Sequence, residues 1–241
     1  MNKKFLDLGY HPLANRYLKK FKKLSIKKGE LYKLGVGFNT KTKLVSLIKK
    51  IPDKKMFDKN YPYRSSMSKT MINSFKKLSI KIKKKFKPKL FLEIGSNDGA
   101  LIQNFNKNKV VCVEPCSNLA KITKKKGYYT YDNYWNFDLA KRIKKKFDYI
   151  DVIYSSNTLT HINNLNEVFK SISLILNKNG VLIIEDPSFL ECIKKGSYDQ
   201  FYNEHIYVFS ALAVKNIIKK YNLELFDIET LNTHGGSLRY Y

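Results

Sequence analysis

The chain has 241 residues, 43% of them hydrophobic, with 17 tyrosines, three cysteines and a formal net charge of +26. This length and apolar content support a sizeable core and exclude an intrinsically disordered chain. No apolar run approaches the ~20 residues that span a bilayer, and the start, MNKKFLDLGYHPLAN, has no apolar stretch of the secretory type, so a cytoplasmic protein is expected. The charge invites a nucleic-acid or anionic-membrane partner. Lysine greatly outnumbers arginine, however, and its KK and KKK runs are spread along the whole chain as solvated faces, so no specific nucleic acid and no membrane is expected as a partner. Cys112, Cys116 and Cys192 form no C-x-x-C pair and are read as free thiols, with no disulfide and no metal.

Residues 1–60 read as a small α+β N-terminal unit. DLGYHPLANRYL carries the Gly9 and Pro12 of a loop, followed by a short helix-like segment. LYKLGVGF and TKLVSLI alternate as strands around a turn at Asn39–Thr42. Residues 61–88 read as a loop, YPYRSSMS, and a linking helix. Its apolar stripe is Met67, Met71, Phe75, Leu78 and Ile82, and it ends before Pro88. From 89 to 241 strands and helices alternate. Strands are expected at LFLEIG, VVCVEP, YYTYD, YIDVIYSS and GVLIIED, with LELFDIETL and SLRYY closing the chain. Helices are expected near 100–106, 117–126, 136–146 and 165–176, and after Ser210. This order predicts an α/β fold with a mostly parallel sheet, helices on both faces, and ligands at the carboxyl ends of the strands.

The central stretch is LFLEIGSNDGALI, Leu90 to Ile102: an apolar strand, a glycine-studded turn, and apolar residues at helical spacing. Glycine lets a ligand approach the backbone closely. The pattern does not fit G-x-G-x-x-G, because the second glycine falls on Asn97, and it lacks the G-K-[ST] of a phosphate loop. E-x-G-x-x-x-G, from Glu93 through Gly95 to Gly99, resembles motif I of the class I S-adenosylmethionine (SAM) methyltransferases, whose sheet is Rossmann-like. A second acid, Glu114, closes the next strand, where a carboxylate accepts bonds from ribose hydroxyls. The plain alternatives are a turn without a ligand and a carboxylate in water.

Over almost its whole length the chain resembles the sugar C-methyltransferases, SAM-dependent enzymes that methylate carbon in nucleotide-linked deoxysugars. The resemblance rests on LGYHPLAN, YPYRSSMS, LEIGSNDG, VEP, SNTLTHI, IIEDPSF, FYNEHIYVFS and HGGSLRYY, in that order. It implies SAM as cofactor and a nucleotide-linked keto-sugar as substrate. The family's N-terminal domain binds zinc through cysteine pairs. Here Asn39 and Thr42 stand where cysteines would be, so no zinc is expected. The family continues into a further C-terminal domain, whereas this chain stops at Tyr241, so a separate C-terminal domain or subunit is an expected partner.

Methylating carbon beside a ketone requires a base to remove the proton and donors to hold the enolate oxygen. FYNEHIYVF supplies Tyr202, Glu204 and His205. An extended strand would turn Glu204 and His205 to opposite faces, whereas an irregular loop allows all three to converge. The resemblance implies His205 as base, with Glu204 and Tyr202 lining the site. It also implies His161 in proton transfer or sugar binding, and Tyr63, rather than Tyr61, as phenol donor. For the cofactor, Glu93, Gly95, Asn97, Asp98 and Gly99 form the turn, with Asp98 near the methionyl amino group. Glu114 takes the ribose, Asp132 with Tyr131 the adenine, and Asn157 the methionyl part. His234–Ser237 is either a tight turn or part of the sugar site.

Overall fold

The computed structural model describes residues 2–15, 17 and 31–241. The helix-like segment expected after Asn15 lies outside the described residues.

Strand β1 (Asn2–His11) pairs antiparallel with β2 (Tyr32–Asn39), which pairs with β3 (Val45–Leu47). DLGYH was expected to be a loop, yet it is strand. Gly9, at φ +79°, falls at a register shift between Asp7 and Tyr10, so it marks a bulge and not an end. Asn39 closes the β2–β3 turn, its Oδ1 accepting from the Lys41 and Thr42 N–H groups. A short helix α1 (Asp53–Met56) leads to the YPYRSSMS loop.

Helix α2 (Lys69–Lys85) is capped by Ser68, whose hydroxyl accepts from Met71 N. It buries Met71, Phe75, Leu78 and Ile82 on one face of the main sheet, each worth about 1.5–3 kcal/mol of apolar burial. Met67, expected in that stripe, lies outside the helix and is 80% exposed.

The main sheet then builds from β4 (Phe91–Ile94), β5 (Val110–Val113) and β6 (Tyr129–Tyr131), with α3 (Ser117–Lys125) between the last two. The helix expected at 100–106 is a single 3₁₀ turn, Ile102–Asn104. Gln103 and Asn104 turn their amides back onto the carbonyls of Ala100 and Leu101, so the side chains compete with helix propagation. Helix α4 (Phe137–Phe147), β7 (Ile150–Ser156), α5 (Leu165–Ile175) and β8 (Leu176–Pro187) follow. Helix α6 (Phe189–Lys195), not foreseen, starts at Ser188, whose hydroxyl accepts from Glu191 N. The two-residue strand β9 (Tyr207–Val208), helix α7 (Ala211–Ile218), β10 (Ile228–Leu231) and β11 (Ser237–Tyr240) complete the chain.

The main sheet has seven strands in the order β10-β11-β8-β7-β4-β5-β6. Neighbours from β8 to β6 are parallel, and β11 runs antiparallel between β8 and β10. Alternate residues of β4 and β5 serve opposite faces. Phe91, Val110 and Cys112 pack with α2, while Leu92, Ile94, Val111 and Val113 pack with α4, α5 and α7. The small sheet has the order β1-β2-β3-β9, so its fourth strand comes from the FYNEHIYVF segment. Among the described residues, no helix is long and apolar enough to cross a membrane, and no group of three or more His, Cys, Asp or Glu side chains is placed to hold a metal.

Candidate active site

At the carboxyl ends of β4, β5 and β7 the backbone makes turns that ordinary residues resist. Gly95 and Gly99 have φ +77° and +86°, and Asn97 and Asn157 adopt +50° and +46°. Such conformations persist where surrounding contacts fix them. Gly95 N and Ser96 N both donate to Val113 O, at 2.8 and 3.1 Å, tying the first turn to β5. Glu114 brackets the same region, one oxygen accepting from Asn97 N and the other from Cys116 N, each at 2.8 Å.

The YPYRSSMS loop is fastened over this turn. Ser65 N donates to Asn97 Oδ1 at 3.0 Å, and Asn97 Nδ2 donates to Tyr63 O at 3.3 Å. Asp98 accepts from the Ser66 N–H and hydroxyl. Asn118 Nδ2 donates to Tyr61 O at 2.9 Å.

Between these elements lies a cavity of about 450 Å³. One part is walled by Glu93, Gly95, Asn97, Glu114 and Asn157; the other by Tyr61, Tyr63, His161, Tyr202, His205 and His234. Phe75 and Leu101 are among its apolar walls. Asp98, Gly99, Tyr131, Asp132 and Glu204 are not on its surface. Asp98 is spent on Ser66, Tyr131 sits in the apolar core, and Asp132 faces Lys124 Nζ at 3.8 Å. Glu204 lies one layer behind, buried, accepting from Asn15 Nδ2 at 2.8 Å and Tyr61 OH at 3.4 Å. His234 occupies a 3₁₀ turn between β10 and β11 and lines the cavity.

His205 has a fixed tautomer. Its Nδ1 lies 2.9 Å from Gln200 O, which only accepts, so Nδ1 carries the proton; Nε2 accepts from Tyr202 OH at 2.9 Å. His161 likewise donates from Nδ1 to Glu204 O at 2.6 Å, and the two imidazoles lie 5.3 Å apart. Burial, then the neighbouring His161, holds His205 well below the ordinary imidazole range. Burial also brings His161 down to about 4, so both rings are neutral at pH 7.

In the other part of the cavity burial pushes Glu93 well above the usual carboxylate range, and its neighbours Glu114 and Asp98 push the same way. One Glu93 oxygen, Oε2, is buried without a partner. Among the described residues no lysine or arginine lines the cavity, although the whole chain carries 46. A cationic ligand suits this crowded, uncompensated set of acids.

The methyltransferase domain family matches residues 63–228, well over half of the chain. The chain belongs to the methyltransferase domain family. Its strand order is that of class I SAM-dependent methyltransferases, and solved structures agree. A SAM-dependent methyltransferase from Archaeoglobus fulgidus aligns at 17% identity with TM-score 0.51, covering 66% of this chain and 71% of that one. Magnesium protoporphyrin IX methyltransferase from Synechocystis PCC 6803, solved with bound S-adenosylhomocysteine, aligns at 12% identity with TM-score 0.51, covering 70% and 81%. Among curated proteins, C-methyltransferase NovU of Streptomyces niveus is 28% identical over 151 residues, which is 62% of this methyltransferase and 36% of NovU. The chain thus spans about a third of that relative's length.

The cavity suits S-adenosylmethionine. SAM carries a sulfonium and an ammonium, and Glu93 Oε2 offers an acceptor that no group among the described residues satisfies. Asn15, Asp53, Phe57, Tyr134 and Trp135 also line the cavity and carried no local signature. Asn15 could have been suspected from its place at the end of LGYHPLAN, but its partner lies 189 residues away.

Proposed function

We propose that this methyltransferase transfers the methyl of SAM to a carbon beside a ketone in a nucleotide-linked keto-sugar, with His205 as the base. The observation that carries the proposal is the fixed Tyr202–His205 pair in one cavity with the Glu93–Gly99 turn. When bound, SAM supplies an electrophilic methyl group. Glu114 would hold the ribose hydroxyls, and Glu93 with Asn157 the methionyl end.

The acceptor carbon gives its proton to His205 Nε2, the nitrogen not committed to Gln200. The electron pair of the broken C–H bond moves to the ketone oxygen. Tyr202 OH, displaced from Nε2, and Tyr63 OH then serve as donors to that oxygen. His161, neutral and bonded to the Glu204 carbonyl, orders the back of the loop. The cation-free lining suits an acceptor whose reacting part is uncharged, which favours a sugar ring over a phosphate-bearing RNA backbone. The match to a C-methyltransferase adds carbon as the acceptor atom.

The test begins with calorimetric titration of the chain with S-adenosylhomocysteine beside Glu114→Ala, followed by assay of dTDP- and GDP-keto-sugars. The expected result is binding that Glu114→Ala loses and methyl transfer that His205→Asn lowers by about 10²–10⁴-fold, the usual worth of a general base. Transfer undiminished in His205→Asn would remove the base from this assignment.

A further inference from the structure

The loop that carries Tyr202, Glu204 and His205 belongs by sequence to the methyltransferase domain, but much of its support comes from the first 50 residues. Asn203 Nδ2 donates to Pro12 O at 2.9 Å. Asn15 Nδ2 donates to Glu204 Oε2 at 2.8 Å. Leu47 N donates to Ile206 O at 2.8 Å, and β9 then pairs with β3. On its other side the loop meets the turn after β7: His161 Nδ1 donates to Glu204 O, and Thr160 Oγ1 to Tyr207 O. Glu204 is 1% exposed and does not line the cavity, so its carboxylate has no direct access to a substrate there. A buried carboxylate held by donors from distant segments is a fastening, and of its two side-chain donors among the described residues Asn15 Nδ2, at 2.8 Å, is closer than Tyr61 OH, at 3.4 Å.

We propose that Asn15 is a positioning residue: through Glu204 it holds the loop that carries the Tyr202–His205 pair against the His161 turn, so that the first segment of the chain sets the geometry of the base without taking part in cofactor binding. Its importance for catalysis rests on the reading of His205 as base; the physical coupling does not. The cofactor turn is fastened by Val113, Glu114 and the Ser65–Ser66 pair, none of which bonds Asn15; the loop that carries that pair reaches Glu204 through Tyr61 OH, at 3.4 Å.

The test uses the full chain with ¹³C,¹⁵N-labelled histidine, which is tractable because there are four histidines. Asn15→Leu removes the side-chain donor while keeping the number and branching of heavy atoms; Asn15→Ser is the second variant, read in the same way if the first does not fold. The expected result has three parts. Affinity for S-adenosylhomocysteine stays within twofold of wild type. The ¹⁵N shifts of His205 move from the single Nδ1–H tautomer towards a mixture. Amide exchange across 202–208 quickens by about tenfold or more, the worth of one hydrogen bond to a charged group. In a Glu204→Leu background the same Asn15 change has no further effect on these readouts. An unchanged His205 signature, a parallel loss of cofactor affinity, or an equal effect in the Glu204→Leu background would each overturn the proposal. His205→Asn with full methyl transfer would instead defeat only the assignment of the base and leave this coupling intact.

Discussion

Gly95→Ala is the sharpest perturbation of the cofactor turn. A Cβ at Gly95 would lie 2.1 Å from Thr158 Oγ1, 2.7 Å from its Cγ2 and 2.9 Å from its Cβ, and the backbone there has φ +77°. The left-handed conformation alone costs an L-residue about 1–2 kcal/mol. Thr158 cannot retreat freely, because its hydroxyl donates to Ser156 O at 2.9 Å and the preceding Asn157 is itself at φ +46°. Overpacking of this kind costs about 1–3 kcal/mol, and the lost Thr158 bond about 1 kcal/mol more. The total, about 3–6 kcal/mol, is a large part of the 5–15 kcal/mol that holds a domain together. Urea unfolding is expected to show that loss, and calorimetry to show S-adenosylhomocysteine binding weakened at least tenfold, since the turn and the Asn157 loop shift together. Adding Thr158→Ala removes the two shortest contacts but keeps the Cβ at 2.9 Å, and is expected to recover part of the overpacking while leaving the backbone strain. A Gly95→Ala protein within about 1 kcal/mol of wild type, with cofactor affinity intact, would show that the two turns are not in the contact described.

Two further outcomes follow from buried charge. Arg239, 5% exposed, donates to Glu185 at 3.0 Å and Glu229 at 2.7 Å, so Arg239→Met leaves Glu185 buried and unpaired and is expected to cost about 3–5 kcal/mol in urea unfolding, much of it restored by Glu185→Leu in the same chain; a double variant no better than the single one would refute the pairing. His161 falls from 6.5 to about 4 on folding because burial disfavours its cation, so the unfolded chain binds more protons between those values and stability falls as pH drops from about 6.5 to 4. Burial raises Glu93 and Asp186, which act in the opposite sense, so the signal to measure is the difference between wild type and His161→Gln; a difference independent of pH would reject the buried neutral imidazole.

Much of this arrangement was visible in the sequence because it is local. Short apolar runs became the strands of the parallel sheet, and Ser68 and Ser210 cap the helices they precede. What escaped was non-local or conditional. Nothing in Tyr207–Val208 announces that it will pair with β3, some 160 residues earlier. Gly9 looked like a loop residue because glycine is ambiguous between a turn and a bulge, and only the pairing of β1 with β2 decides between them. Leu101, Ile102 and Phe105 have helical spacing, but Phe105 stacks on Phe91 with ring centroids 4.5 Å apart after one 3₁₀ turn. The placing of the Glu93–Gly99 turn and of Glu114 at strand ends was legible for the same reason as the strands, since each closes a short apolar run. Asn15 and Asp53 were not, because a lone polar residue in a small unit carries no pattern until the chain folds it against the cavity.

The charge distribution bears on how an acceptor would enter. The chain is strongly basic overall, yet the described cavity wall has carboxylates and imidazoles and no lysine or arginine. At physiological ionic strength a surface charge acts over about 8 Å, so the surface lysines draw an anionic acceptor towards the protein without neutralising it inside. A phosphate carried into the cavity would meet Glu93 and Glu114 with no lysine or arginine on the described wall to compensate it, which costs several kcal/mol for a desolvated ion. On the proposed chemistry the two ends of a nucleotide-linked sugar therefore separate: the diphosphate stays in the solvated basic field outside, and the neutral ring enters to meet Tyr202 and His205. Added salt is then expected to weaken capture of the acceptor, seen as a rise in KM, while kcat, set inside the cavity, stays nearly constant.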